Sequence, residues 1–295
     1  MPELPEVHAH AERLVAWLRG AVLERVEILA FATLKTYAPP PAAAAGQTLE
    51  AVTRRGKLLI LRFGAQSHVV HLMQGGRLRP DGSAARRPKG GLVRWCFADR
   101  DALLLTEAGT ERKAGVWVVE GDPLSQPPLE DLGPEADEVE PDELARRFAA
   151  GAQRLHGFLR DQRMLAGLGR RLANEVCHRA RLSPFVVTSG LDAQDAERVV
   201  EAIRGAVAEG LAFERARDEM SASKQRPAAV HDRAGEACPV CGDTVRAVVH
   251  RDYTVNYCPT CQTHGKILAD NVYSRLGIDR AAQPARATRR PTRRR

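Results

Sequence analysis

Val7, Leu14, Val15 and Leu18 fall on one helical face and Pro5 suits a first helical turn, so the chain is predicted to open with a helix. From residue 22 to about 119 the pattern changes to short alternating or wholly apolar runs, at 22–29, 58–63, 68–72, 92–97, 102–105 and 116–119. Turn-forming residues separate them: Pro39-Pro40-Pro41, Arg55-Gly56-Lys57, Gly75-Gly76, Pro80-Asp81-Gly82 and Gly90-Gly91. Such runs between such turns predict an antiparallel β-sandwich or barrel behind a leading helix. Residues 121–141 are rich in proline and acid and read as a linker whose charge keeps it off a phosphate backbone. A helical period returns from 142 to about 217, where Asp192 suits an N-cap ahead of Val199, Val200, Ile203 and Val207. Residues 218–236 are polar and irregular, the texture of a mobile loop. The tail beyond Asp279 is low-complexity and basic, the composition of a disordered segment.

Composition changes this picture little. The 295 residues suit two or three modules, and 44% hydrophobic content is ordinary for a folded chain. No apolar run approaches the roughly 20 residues of a membrane span, and the acidic start lacks the apolar core of a signal peptide. The expectation is a cytoplasmic protein. The net charge of +7 equals the seven arginines beyond Asp279, so the rest of the chain is formally neutral. Any nucleic-acid surface on the body must then be a local patch. Only six of the 44 basic residues are lysine, which singles out Lys57 in its turn as a place where an amine is wanted.

Four of the six cysteines carry a clear signal. Cys238-Pro-Val-Cys241 and Cys258-Pro-Thr-Cys261 enclose a 16-residue insert, the spacing of a four-thiolate zinc ribbon. A module this short cannot bury enough apolar surface to fold alone, so one structural zinc replaces a core. The insert carries Arg246, His250, Arg251 and Tyr253, a hairpin able to offer cations and an aromatic ring to DNA. Cys96 and Cys177 stand alone and read as small buried residues.

The N-terminus holds the sharpest chemistry. Met-Pro is a context in which the initiator Met is expected to be removed, leaving Pro2 as a free secondary amine. An α-amino group titrates at about 7.7–8.0 against about 10.4 for lysine, so roughly a tenth or more is free base at pH 7. Such an amine is a ready nucleophile for a sugar C1′, and the adjacent Glu3 could act as general acid on the ring oxygen. Read alone, the segment is just a helix start.

The run Pro2-Glu3-Leu4-Pro5-Glu6-Val7, the Arg55-Gly56-Lys57 turn, His71-Leu72 before Gly75-Gly76, and the ribbon follow one another in a familiar order. The chain resembles the formamidopyrimidine-DNA glycosylase/endonuclease VIII family up to about residue 268. The resemblance implies an α+β multidomain fold: an antiparallel β-sandwich with a leading helix (1–120), the linker (121–141), and a helix–two-turns–helix domain (142–220). A loop over the flipped base (221–236), the zinc ribbon (237–268) and the basic tail (279–295) complete it. It implies double-stranded DNA with damaged bases or abasic sites as partner, bound by a nucleoid-associated monomer. It further implies a Schiff base on Pro2, with Glu3 and Lys57 assisting, and DNA contacts from His71, Gln74, Arg112, Arg170 and Arg251.

Some positions depart from that family's pattern. Arg170 stands where an Asn is usual after Gly167-Leu168-Gly169. Met73-Gln74 is shifted against the expected intercalating Met, and Arg112-Lys113-Ala114 lacks an aromatic wedge. Tyr253 takes the place of the ribbon's arginine, with Arg251 nearby. These losses leave the nucleophile intact, but they raise a second reading: a relative that binds damaged DNA without cutting it.

Overall fold

The computed structural model describes residues 1–268 apart from 84, 87, 109–111, 222–224 and 251–252. Arg251 and the arginine-rich tail therefore lie outside the described residues. Helix α1 (Leu4–Leu18) carries Pro5 in its first turn, and the Glu6 carboxylate reaches back to accept the Glu3 N–H at 3.0 Å. Its Val7, Ala11, Leu14 and Leu18 enter the core of a sandwich of two four-stranded antiparallel sheets. One sheet is ordered β1 (Leu23–Ile28), β6 (Gly91–Phe97), β7 (Ala102–Glu107), β5 (Gly76–Asp81). The other is ordered β2 (Leu49–Arg55), β3 (Leu58–Phe63), β4 (Gln66–His71), β8 (Gly115–Glu120). Phe63, Trp95 and Leu23 are fully buried between them.

Two strands escape the sequence reading, β2 and β5. Both are edge strands, each paired on one side only. An edge strand needs fewer apolar residues and tolerates proline, so Pro80 reads as a turn although it lies within β5, opposite Leu103.

The second core gathers α2 (Pro141–Ala149), α3 (Leu155–Arg160), α4 (Arg170–Arg179) and α5 (Ala193–Arg215) around Phe148, Phe158 and Ile203. Asp192 caps α5, accepting the Asp195 N–H at 2.8 Å while Asp195 returns the bond to its backbone. Leu4 belongs to this helical core, whereas Val7, one turn on, belongs to the sandwich. Helix α1 thus enters one body and ends in the other. Pro2 and Glu3 are thereby placed at the junction.

The ribbon consists of the hairpin β9 (Arg246–Val249) and β10 (Thr254–Tyr257) with the short α6 (Pro259–Thr263). It docks on α4, where Asn256 N–H meets Asn174 Oδ1 at 3.3 Å, and Gln262 donates to the Leu182 carbonyl at 3.0 Å. Among the described residues no helix is long and apolar enough to cross a membrane.

Candidate active site and metal centre

Glu3 is held by a helix from the other body. Its Oε1 accepts the Arg171 N–H at 3.0 Å and its Oε2 the Leu172 N–H at 2.9 Å, the free donors of the first turn of α4. A carboxylate there answers both the unpaired N–H groups and the helix dipole. The approach explains the Gly-x-Gly spacing ahead of α4. Gly167 has φ +106°, and a Cβ on it would meet the Leu4 side chain; a Cβ on Gly169 would collide with the Glu3 carboxylate. Both glycines are spaces for the N-terminal segment.

Pro2 is buried beside Glu3, and Met1 borders a cleft of about 520 Å³. Glu3, Glu6, Gln74, Arg170, Arg171, His231 and Tyr253 share its walls. Burial lowers the pKa of the Met1 amine, and Arg77 and Lys57 push the same way against Glu3 and Glu6. Glu6 is itself pushed up by burial and opposed by Arg226, whose guanidinium lies 3.1 Å from it.

Lys57 is buried at 6% exposure in the turn between β2 and β3, and does not line the open cleft. Burial lowers its pKa to about 8; Arg160 adds to the fall and Glu3 opposes it. The turn is set by Glu135 of the linker, whose Oε1 accepts Gly56 N–H and Arg55 Nη1, both at 2.7 Å. Its Oε2 takes Arg54. The linker's acidity therefore has a specific use that composition did not suggest: Glu135 pairs with two arginines and orients the turn beside the lysine. His71 pairs with Leu58 across β3 and β4, and its Nδ1 accepts Met73 N–H at 3.1 Å. Burial and Lys57 hold it down at about 4, so it is neutral at pH 7. Gln74 and Arg170 reach the cleft, whereas Arg112 is exposed and is absent from its walls.

Other residues of this region had no sequence signal. Arg171 ties the loop after α5 to α4, donating to the Arg226 and Pro227 carbonyls. Glu175 accepts the N–H groups of Ala229, Val230 and His231 at 2.8–3.0 Å, fixing the run into the ribbon. Asn174 Nδ2 then sets His231 through Nδ1 at 2.9 Å. Lone polar residues on a helix do not announce partners more than 50 positions away.

The ligand atoms of Cys238, Cys241, Cys258 and Cys261 lie within 4.8 Å of one another. Four soft donors in this cluster suit tetrahedral zinc, and the ribbon holds one structural zinc. His178 Nε2 of α4 sits 3.3 Å from Cys238 Sγ, an outer contact that couples the centre to the helical body. Cys96 and Cys177 are buried away from it.

A sandwich, a helical body and a four-cysteine ribbon meeting around one cleft, with the N-terminus in its wall, define the class to which this protein belongs. The family model of the formamidopyrimidine-DNA glycosylase N-terminal domain matches residues 1–116, and that of its H2TH domain matches 132–221. The zinc finger found in FPG and IleRS matches 235–263. The formamidopyrimidine-DNA glycosylase of Symbiobacterium thermophilum is 34% identical over 284 residues, 89% of each chain. The crystal structure of the MutM (Fpg) protein of Thermus thermophilus superposes with a TM-score of 0.77 at 29% identity, covering 88% of this chain and 98% of that one. The Lactococcus lactis enzyme bound to abasic-site DNA superposes at 0.79 with 21% identity, covering 88% and 99%, a likeness of fold. The chain belongs to the formamidopyrimidine-DNA glycosylase family.

Proposed function

We propose that this protein is a bifunctional DNA glycosylase and abasic-site lyase that acts on duplex DNA with oxidised bases. The observation that carries the reading is the N-terminus beside Glu3, a carboxylate anchored by α4, with Lys57 within its electrostatic reach. After removal of Met1, the Pro2 nitrogen attacks C1′ of an extruded nucleotide and the glycosidic bond breaks. The departing base takes a proton from solvent. Glu3 accepts the proton from the Pro2 nitrogen and delivers it to O4′ as the C1′–O4′ bond opens, leaving an iminium. Loss of a C2′ proton then expels the 3′ phosphate, and a second elimination expels the 5′ phosphate. Lys57 holds phosphate nearby, with His71, Gln74 and Arg170 as further DNA contacts.

Borohydride reduction during reaction with abasic-site duplex tests this directly. An iminium is reduced to a stable protein–DNA adduct, whereas a non-catalytic binder, the reading raised by the altered wedge and Tyr253, leaves none. Absence of an adduct in Met1-free protein that binds the duplex would select the second reading.

Two further outcomes are expected. Gly169→Ala should push the Glu3 carboxylate off α4 and slow adduct formation about 100-fold, the cost of misplacing a catalytic group by roughly 1 Å. Circular dichroism should show the fold retained; unchanged trapping would mean that the anchoring is dispensable. Lys57 has its pKa depressed from 10.5 to about 8, so its charge is lost as pH rises through 8. Affinity for abasic-analogue duplex should therefore fall between pH 7 and 9.5 at fixed salt, and Lys57→Arg should remove that fall. The stability sign is opposite: between pH 8 and 10.5 the unfolded chain binds the extra proton, so this group's contribution to stability rises with pH.

A further inference from the structure

We propose that Arg160 is a second phosphate-holding residue, presented to DNA beside the cleft on the ring of Tyr253. The inference rests on the DNA-directed reading above and adds a residue and a device to it.

Arg160 ends α3, and its Cζ lies 4.2 Å from the centroid of the Tyr253 ring on the ribbon. Tyr253 lines the cleft, and the His250 ring stacks with it at 4.5 Å and 18°. His156, from the first turn of α3, lies nearly parallel to the same ring at 6.0 Å and 12°. A stack of this kind fixes the plane of the guanidinium and leaves its edge N–H donors free.

Apart from Arg170, already taken as a DNA contact on the cleft wall, the neighbouring arginines are used up. Arg54 and Arg55 hold Glu135, Arg226 faces Glu6, and Arg171 is spent on two carbonyls. Among the described residues, the Arg160 guanidinium has no ion pair and no hydrogen bond. It is partly exposed, and its charge is felt at Lys57, where it disfavours the ammonium. The acid that opposes it there, Glu3, already accepts two backbone N–H groups. Two cations thus converge on one region, and among the described residues no carboxylate makes an ion pair with either, which leaves room for an external anion. A planar guanidinium with its edge free matches the paired oxygens of a phosphodiester. With a duplex in the cleft, that anion is the backbone beside the extruded nucleotide. Because the cation comes from the helical body and its platform from the ribbon, the device works only when the two are docked.

The test uses zinc-loaded full-length protein and a duplex with one tetrahydrofuran abasic analogue, titrated across salt. Arg160→Ala should weaken binding about tenfold or more near 100 mM salt and reduce the slope of log K against log salt by about 0.9, one phosphate contact. Arg160→Lys should keep the slope but lose affinity. Tyr253→Phe should match wild type, whereas Tyr253→Leu should weaken binding and make a following Arg160→Ala nearly silent. Thermal melting and zinc content provide the structural control. A wild-type slope in Arg160→Ala overturns the proposal, even if the melting temperature falls, because Arg160 then only joins α3 to the ribbon. If the wild type binds no duplex, the DNA-directed reading falls with it; if it binds and traps while the slope stays unchanged, only this proposal falls.

Discussion

Protein that retains Met1 should form at least 100-fold less borohydride-trapped adduct than the processed protein. With Met1 in place the Pro2 nitrogen is an amide, its lone pair delocalised into the carbonyl and lost as a nucleophile. The only α-amine is then one residue away, about 3.8 Å along the chain, which exceeds the displacement that costs roughly 100-fold. In the chain that keeps Met1, burial lowers the pKa of the Met1 amine, with Glu3 and Glu6 opposing and Arg77 and Lys57 adding to the fall. Duplex affinity should stay within a few-fold, because Lys57, Gln74 and Arg170 are untouched. Mass spectrometry identifies the terminus and single-turnover trapping gives the rate. Full trapping from a Met1-retaining chain would exclude Pro2 as the nucleophile.

Removing zinc should cost duplex affinity 100-fold or more while leaving the sandwich folded. The ribbon's own core consists of Val230, Cys238, Val245 and Cys258, so two of its four buried members are metal ligands. Without metal nothing comparable holds the hairpin; structural zinc supplies about 10–16 kcal/mol of folding free energy in modules of this kind. Unfolding would release Asn256 from Asn174, Gln262 from the Leu182 carbonyl, and the Tyr253–His250 stack from the cleft. Cys258→Ser should behave in the same way, with far-ultraviolet circular dichroism nearly unchanged. Elemental analysis should give one zinc per chain, and added zinc should restore binding to stripped wild type. Full affinity in metal-free protein would rule out the ribbon as a DNA-binding element.

Much of the architecture is legible in one dimension because its causes are local. The α1 face, the Asp192 cap, the buried strands β3, β4 and β6, and the Cys-x-x-Cys pairs all depend on residues within a few positions of one another. The chemical promise of Pro2, Glu3 and Lys57 is legible for a similar reason: an amine, a carboxylate and a scarce lysine are properties of side chains. Edge strands β2 and β5 fall short of that standard, since half their hydrogen-bonding groups face no partner and their composition can be that of a turn.

What the tertiary structure alone decides is which groups meet. Glu3 finds its donors 168 and 169 residues away on α4, Gly56 finds Glu135 79 residues on, and Arg160 finds Tyr253 in a separate module. No periodicity encodes such pairs, because each is fixed by the docking of two bodies and not by the path of either. The sequence by itself determined most of the elements, the four cysteines of the metal centre and the Pro2-Glu3 pair ahead of α1. Only the packing of sandwich, helices and ribbon decided the rest: hydrogen bonds and ion pairs act over a few ångströms of space, whatever the separation along the chain.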